Sequence, residues 1–195
     1  FLIFFFGYLF IAVSWGLNSS LQLYMNTYFW EFKSIMIASF LGIYALSTFT
    51  AFLLVPRLVL YIEKRSILLI AIVFAALIPP IPIILYLNNL LPDSGSWDLF
   101  YALAPFIYLG NTCLSSSAIV RESMLGDISD EVELETKIGQ QGLMFASSSL
   151  IGKLNTGLGI LVAGLALEFI GFPQGSEVLP VADQIFSLAM VQGPF

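Results

Sequence analysis

The stretch Ile138–Leu167, IGQQGLMFASSSLIGKLNTGLGILVAGLAL, decides the fold, because its thirty residues carry one charge, Lys153. As a helix it measures ~45 Å at 1.5 Å per residue, enough to cross a bilayer. A lysine in the middle of a spanning helix costs roughly 2.5–3.5 kcal/mol on insertion scales, so Lys153 is a functional-site candidate by default. Ser149, Lys153 and Thr156 share one face of this helix. Ser148, Gly152 and Thr156 recur every four residues, a small-residue seam suited to close helix packing.

The rest of the chain has the same character. Of 195 residues, 58% are hydrophobic and only 10% charged, with a mean hydropathy of +0.93. Too little polar surface is left to clothe a water-soluble protein of this size. Phe1–Trp30, Ser34–Pro56, Ser66–Pro92 and Leu99–Val120 carry no charge at all, and each exceeds the ~20 apolar residues a span requires. Together with the lysine helix they predict five spans, and a sixth starts near Gln184. The chain opens at Phe1 inside an apolar run and stops at Phe195 before that sixth helix would finish, as an internal piece of a larger protein would. Phe1–Phe10 lacks the basic leader and small-residue cleavage site of a signal peptide.

Composition also excludes several kinds of chemistry. With no histidine and one cysteine, Cys113, this sequence holds no disulfide, cysteine-rich zinc site or histidine-dependent triad. Cys113 reads as a small packing residue in a helix. A net charge of −6, with seven basic residues scattered over loops, argues against nucleic acid as a partner.

Those few cations orient the chain. Arg57, Lys64 and Arg65 lie between spans two and three, and Arg121 and Lys137 between spans four and five; the other loops hold only Lys33. The positive-inside rule then places segments 57–65 and 121–137 in the cytoplasm of an integral cell-membrane protein. Segments 88–98 and 172–183, rich in Pro, Gly and Asn, become external loops, with Trp30 and Trp97 as interfacial anchors.

Polar residues inside the spans mark faces that lipid cannot hydrate. In span one Trp15, Asn18, Gln22 and Asn26 recur at three- and four-residue intervals, and Asn18 with Gln22 reads as a cavity-facing pair. In span four Asn111 and Ser115 begin a similar line, with Thr112, Ser116 and Ser117 alongside; helix–helix hydrogen bonding is the simpler account of the serines. Pro79, Pro80 and Pro82 predict a kink in span three.

Between Arg121 and Lys137 the chain reads RESMLGDISDEVELETK, with six acids in a predicted cytoplasmic loop. By itself Asp127-x-x-Asp130 is either a Mg²⁺-chelating pair for a phosphorylated substrate, as in a membrane transferase, or part of a solvated, partly helical linker.

The longer string SMLGDISDEVELETKIGQQGLMFASSSLIGKLNTGLGILVAGLALEFIGF resembles the glycoside–pentoside–hexuronide:cation symporters, the melibiose-permease-like members of the major facilitator superfamily. Ser123-Met124, Asp127, Asp130, Glu131, Glu133, Gln141-Gly142 and Lys153 fall in that family's order and spacing. The resemblance implies an all-α polytopic membrane bundle, the incomplete C-terminal six-helix half of a transporter, with residues 1–195 as helices seven to eleven and the start of twelve. It implies alternating-access symport of a sugar, glycoside or related small solute, driven by Na⁺ or H⁺, with no other cofactor. Lys153 matches the family's eleventh-helix lysine near the cation-binding carboxylates of the N-terminal half, and Ser149 a hydroxyl residue beside the cation and sugar sites. Asp127, Asp130 and Glu133, with Arg121 at the head of the segment, resemble a cytoplasmic gate that pairs with basic residues of the other half. Ala118 stands where the melibiose-type members place an aromatic residue, which weighs against a melibiose-like substrate. Relatives that carry lipids or other solutes are the alternative.

Overall fold

The computed structural model describes residues 16–173 and 180–192, apart from the side chains of Asn155, Thr156, Ala182 and Gln192. Everything regular in it is helical, and the fold is an all-α polytopic membrane bundle. Residues 16–24 form α1, which continues into a π-helical turn at Met25–Phe29. Then come α2 (Ser34–Leu58), α3 (Lys64–Leu77), α4 (Pro80–Leu87), α5 (Trp97–Thr136), α6 (Gln141–Phe169) and α7 (Ala182–Gln192). Among the described residues, four stretches are long and apolar enough to cross a membrane: α2, α3 with α4, α5 and α6. Trp15 and the rest of residues 1–15 lie outside the described residues.

The predicted kink falls at the prolines. The α3 helix ends at Leu77 and α4 starts at Pro80, where the missing N–H of proline costs a helix least. Buried Gly110 of α5 faces this break, and a β-carbon there would meet Ile78 Cγ2 at 3.7 Å and Pro79 Cγ at 3.9 Å.

One expectation fails. Residues 121–137 are not a loop, because α5 runs unbroken for 40 residues to Thr136. A charge run does not interrupt a helix when its residues are good helix formers, as Arg, Glu, Met and Leu are here. The helix stops at Lys137, which takes a left-handed φ of 56° and donates its N–H to Glu133 O at 2.8 Å. The acids therefore stand on the last turns of a rod.

The chain divides into two compact units, with the boundary inside α5. One is Phe32–Asp127, holding α2, α3, α4 and most of α5. Here Phe40 packs on Phe100, Ser47 meets Asn111, and Val55 clusters with Val120. Those contacts advance along both chains together, so α2 and α5 run parallel. An aromatic cluster of Phe32, Phe40, Trp97, Phe100 and Tyr101 closes one end of this unit. Val55, Ile67 and Val120 close the other.

The second unit is Phe1–Glu31 with Ile128–Phe195. Its buried seam on α6 is Met144, Ser148, Ile151, Gly159 and Ala163, spaced by three, four or eight residues as one helix face must be. At Gly159 the α6 backbone meets that of α1 directly, since a β-carbon there would stand 2.6 Å from Gly16 Cα. Tyr24, Tyr28 and Phe172 form a three-ring cluster where the turn after α6 meets the end of the first helix. Gly171 supplies the left-handed step (φ 65°) that this turn needs.

Candidate functional site

Lys153 lies in the middle of α6, as the sequence predicts. It is exposed and well round the helix from the buried seam, and Ser149, one turn earlier, is exposed too. Among the described residues Lys153 forms no ion pair. The Thr156 side chain lies outside the described residues.

Asn18 and Gln22 are one turn apart on α1 and both half-buried. Asn26, one turn further on, is half-buried as well and lies in the π-helical turn, where Trp30 N donates to Met25 O at 2.9 Å, a five-residue step. Trp30 is also buried, edge-on against Phe29 at 4.6 Å, and so does not serve as an exposed interfacial anchor. Trp97 is 43% exposed at the start of α5, where an anchor belongs.

Asp127, Asp130 and Glu133 are already engaged. Lys64 Nζ at the start of α3 donates to Asp127 Oδ2 at 2.6 Å, tying the α2–α3 corner to α5 within one unit. In the other unit Gln141 Nε2 donates to Asp130 Oδ1 at 3.1 Å and to Glu133 Oε2 at 3.3 Å, linking the end of α5 to the first residue of α6. Arg121 is mostly buried and lies 3.7 Å from Glu122, a loose contact between neighbours that do not share a helix face. Asp127 and Asp130 thus spend their oxygens on different partners.

A second polar centre lies between α2 and α5, and the sequence shows only its α5 half. Tyr108, Asn111 and Ser115 of α5 meet Thr50, Ser47 and Thr48 of α2, near the middle of both apolar stretches. Asn111 Nδ2 donates to Ser47 Oγ at 2.6 Å, and Ser47 in turn donates to Tyr44 O at 2.9 Å. Two weaker acceptors, Thr48 Oγ1 at 3.3 Å and Tyr44 O at 3.4 Å, compete for the remaining amide hydrogen. Thr48 Oγ1 and Ser115 Oγ lie 3.2 Å apart, and Thr50 Oγ1 and Tyr108 Oη 2.7 Å apart. The missed signal was Ser47, Thr48 and Thr50, three hydroxyls in four positions of a span read only as uncharged. Sequence cannot say which helix a hydroxyl meets.

The described residues thus present a cation without an ion pair on α6, a neutral hydroxyl-and-amide cluster between α2 and α5, and, on the last turns of α5, acids bonded to Lys64 and to Gln141. No curated protein and no solved structure matches the chain significantly. The family model described as MFS/sugar transport protein matches residues 1–194. Spanning helices interrupted by polar residues at depth, together with a match over nearly the whole length, establish that the chain belongs to the MFS/sugar transport protein family of the major facilitator superfamily, a family of membrane transporters.

Proposed function

We propose that this chain is the later half of a cation-coupled symporter of the melibiose-permease-like group, carrying a sugar, glycoside or related small solute by alternating access. The single observation behind the reading is one lysine at mid-depth of α6 in a member of a sugar-transport family. Hydrocarbon offers an ammonium no partner, so a carboxylate on the partner helices pairs with it. Empty, the transporter neutralises its acidic site with Lys153. When Na⁺ or H⁺ arrives it replaces the ammonium and lowers the cost of occlusion, and Ser149 offers a hydroxyl beside the exchange. Thr156, Asn18 and Gln22 contribute to the same pathway. Glu168 is not the partner, since it lies about four turns along the same helix.

The ends that carry Lys64 and Asp127 face the cytoplasm of a cell membrane, following the cation bias of segments 57–65 and 121–137. There Asp127, Asp130, Glu133 and Arg121 act as a gate that exchanges partners with the N-terminal half. The full transporter reconstituted in liposomes tests the reading. Lys153→Ala should abolish uptake or free it from the Na⁺ or H⁺ gradient, and unchanged gradient dependence would remove Lys153 from the mechanism. A second reading, a carrier of lipids or other solutes, draws on Ala118 standing where a sugar-stacking ring is expected.

A further inference from the structure

The α2–α5 cluster departs from the habit of its own helices. A hydroxyl in a spanning helix can satisfy itself on the carbonyl three or four residues back. Ser39, Ser47, Thr50, Thr112 and Ser117 all do so, at 2.7–2.9 Å. Thr48 and Ser115 do not. They turn instead toward each other and toward Asn111, and Thr48 is exposed near the midpoint of α2. Asn111 Oδ1 accepts no hydrogen bond among the described residues. Hydrocarbon satisfies none of these groups, so the edge they form is built to meet something wet.

Its chemistry is specific in kind. Thr48, Ser115 and Asn111 offer donors and acceptors without any formal charge, and no acid or base stands within the cluster. Such an edge suits a group that both donates and accepts, as an alcohol does. It supplies no counter-charge to a carboxylate or an ammonium. Behind it, Ser47 bonded to Tyr44 O and Thr50 bonded to Tyr108 hold the front groups in place.

We propose that Thr48, Ser115 and Asn111 form a subsite that recognises hydroxyl groups of a neutral, polyhydroxylated solute. The assignment rests on the sugar-transport reading above. On entry a solute hydroxyl donates to Asn111 Oδ1 and accepts from Thr48 or Ser115, replacing the long 3.2–3.3 Å contacts now made among themselves.

The test uses the full transporter in proteoliposomes and uptake of radiolabelled D-glucose, D-galactose and methyl-β-D-galactoside, with their monodeoxy analogues. Thr48→Val and Ser115→Ala keep shape while removing a hydroxyl. Each should raise KM about 2–10-fold, the value of one neutral hydrogen bond, with kcat nearly unchanged. For at least one monodeoxy sugar the variant and the wild type should have equal KM, because the contacted hydroxyl is already gone. Uptake by the wild type with variants of unchanged KM overturns the subsite and leaves the transport reading standing. A lowered melting temperature with no change in KM does the same, by making the cluster a helix clasp only. No uptake of any sugar by the wild type overturns both.

Discussion

Gly159→Ala is the sharpest probe of how this bundle is packed. A β-carbon at position 159 would stand 2.6 Å from Gly16 Cα and 2.7 Å from Gly16 O. Carbon atoms in contact settle near 3.5–4.0 Å, so α6 and α1 must part by about 1 Å to admit it. A gap of that size forfeits roughly a quarter to a half of each dispersion contact along the crossing. Overpacking of this kind costs about 1–3 kcal/mol. Alanine also returns about 1 kcal/mol of helix propensity, which would mask part of the loss. Gly157→Ala removes that ambiguity. It lies on the same helix with nothing within 4 Å of the added carbon, so it receives the propensity gain without the clash. The difference between the two variants isolates the steric cost. At about 2–4 °C per kcal/mol for a chain of this size, Gly159→Ala should melt about 2–12 °C below Gly157→Ala in detergent. Equal melting temperatures for the two variants would mean that the α1–α6 backbone contact does not exist.

Two further outcomes follow from the same geometry. Lys64 and Asp127 are 27% and 60% exposed, so solvent screens their pair, and Asp127→Asn should cost less than about 1 kcal/mol of stability despite the 2.6 Å contact. A double-mutant cycle with Lys64→Gln, read by thermal melting, should give a coupling of that size, and one of several kcal/mol would mean a far drier site. Single cysteines placed from 127 to 136, in a background where Cys113 is serine, should label with helical periodicity. Position 129, where Ser129 is 1% exposed, should react far more slowly than 130, 131 and 133, whereas uniform labelling would make the acidic segment a loop after all.

Reading the chain as a membrane protein required nothing but the charge spacing, because a bilayer demands about twenty uncharged residues wherever the backbone crosses it. The same rule located α2, α5 and the lysine of α6, and Pro79, Pro80 and Pro82 located the break before α4, all set by residues acting locally. Local chemistry also misled at residues 121–137. A run of acids that leaves the bilayer reads as a loop, whereas nothing in it disfavours continuing the helix to Thr136.

What sequence alone determined, then, was which segments enter lipid and that Lys153 stands alone within one of them. Only the tertiary structure decided that Asn111 meets Ser47 and Thr48, that Asp127 pairs with Lys64, and that Gly159 rests on Gly16. Burial from water is a property each segment carries by itself, read from its own side chains. Pairing between helices depends on crossing points set by packing across some sixty residues or more of chain, and the π turn at Met25–Phe29 rotates side chains in a way no α-helical period foretells.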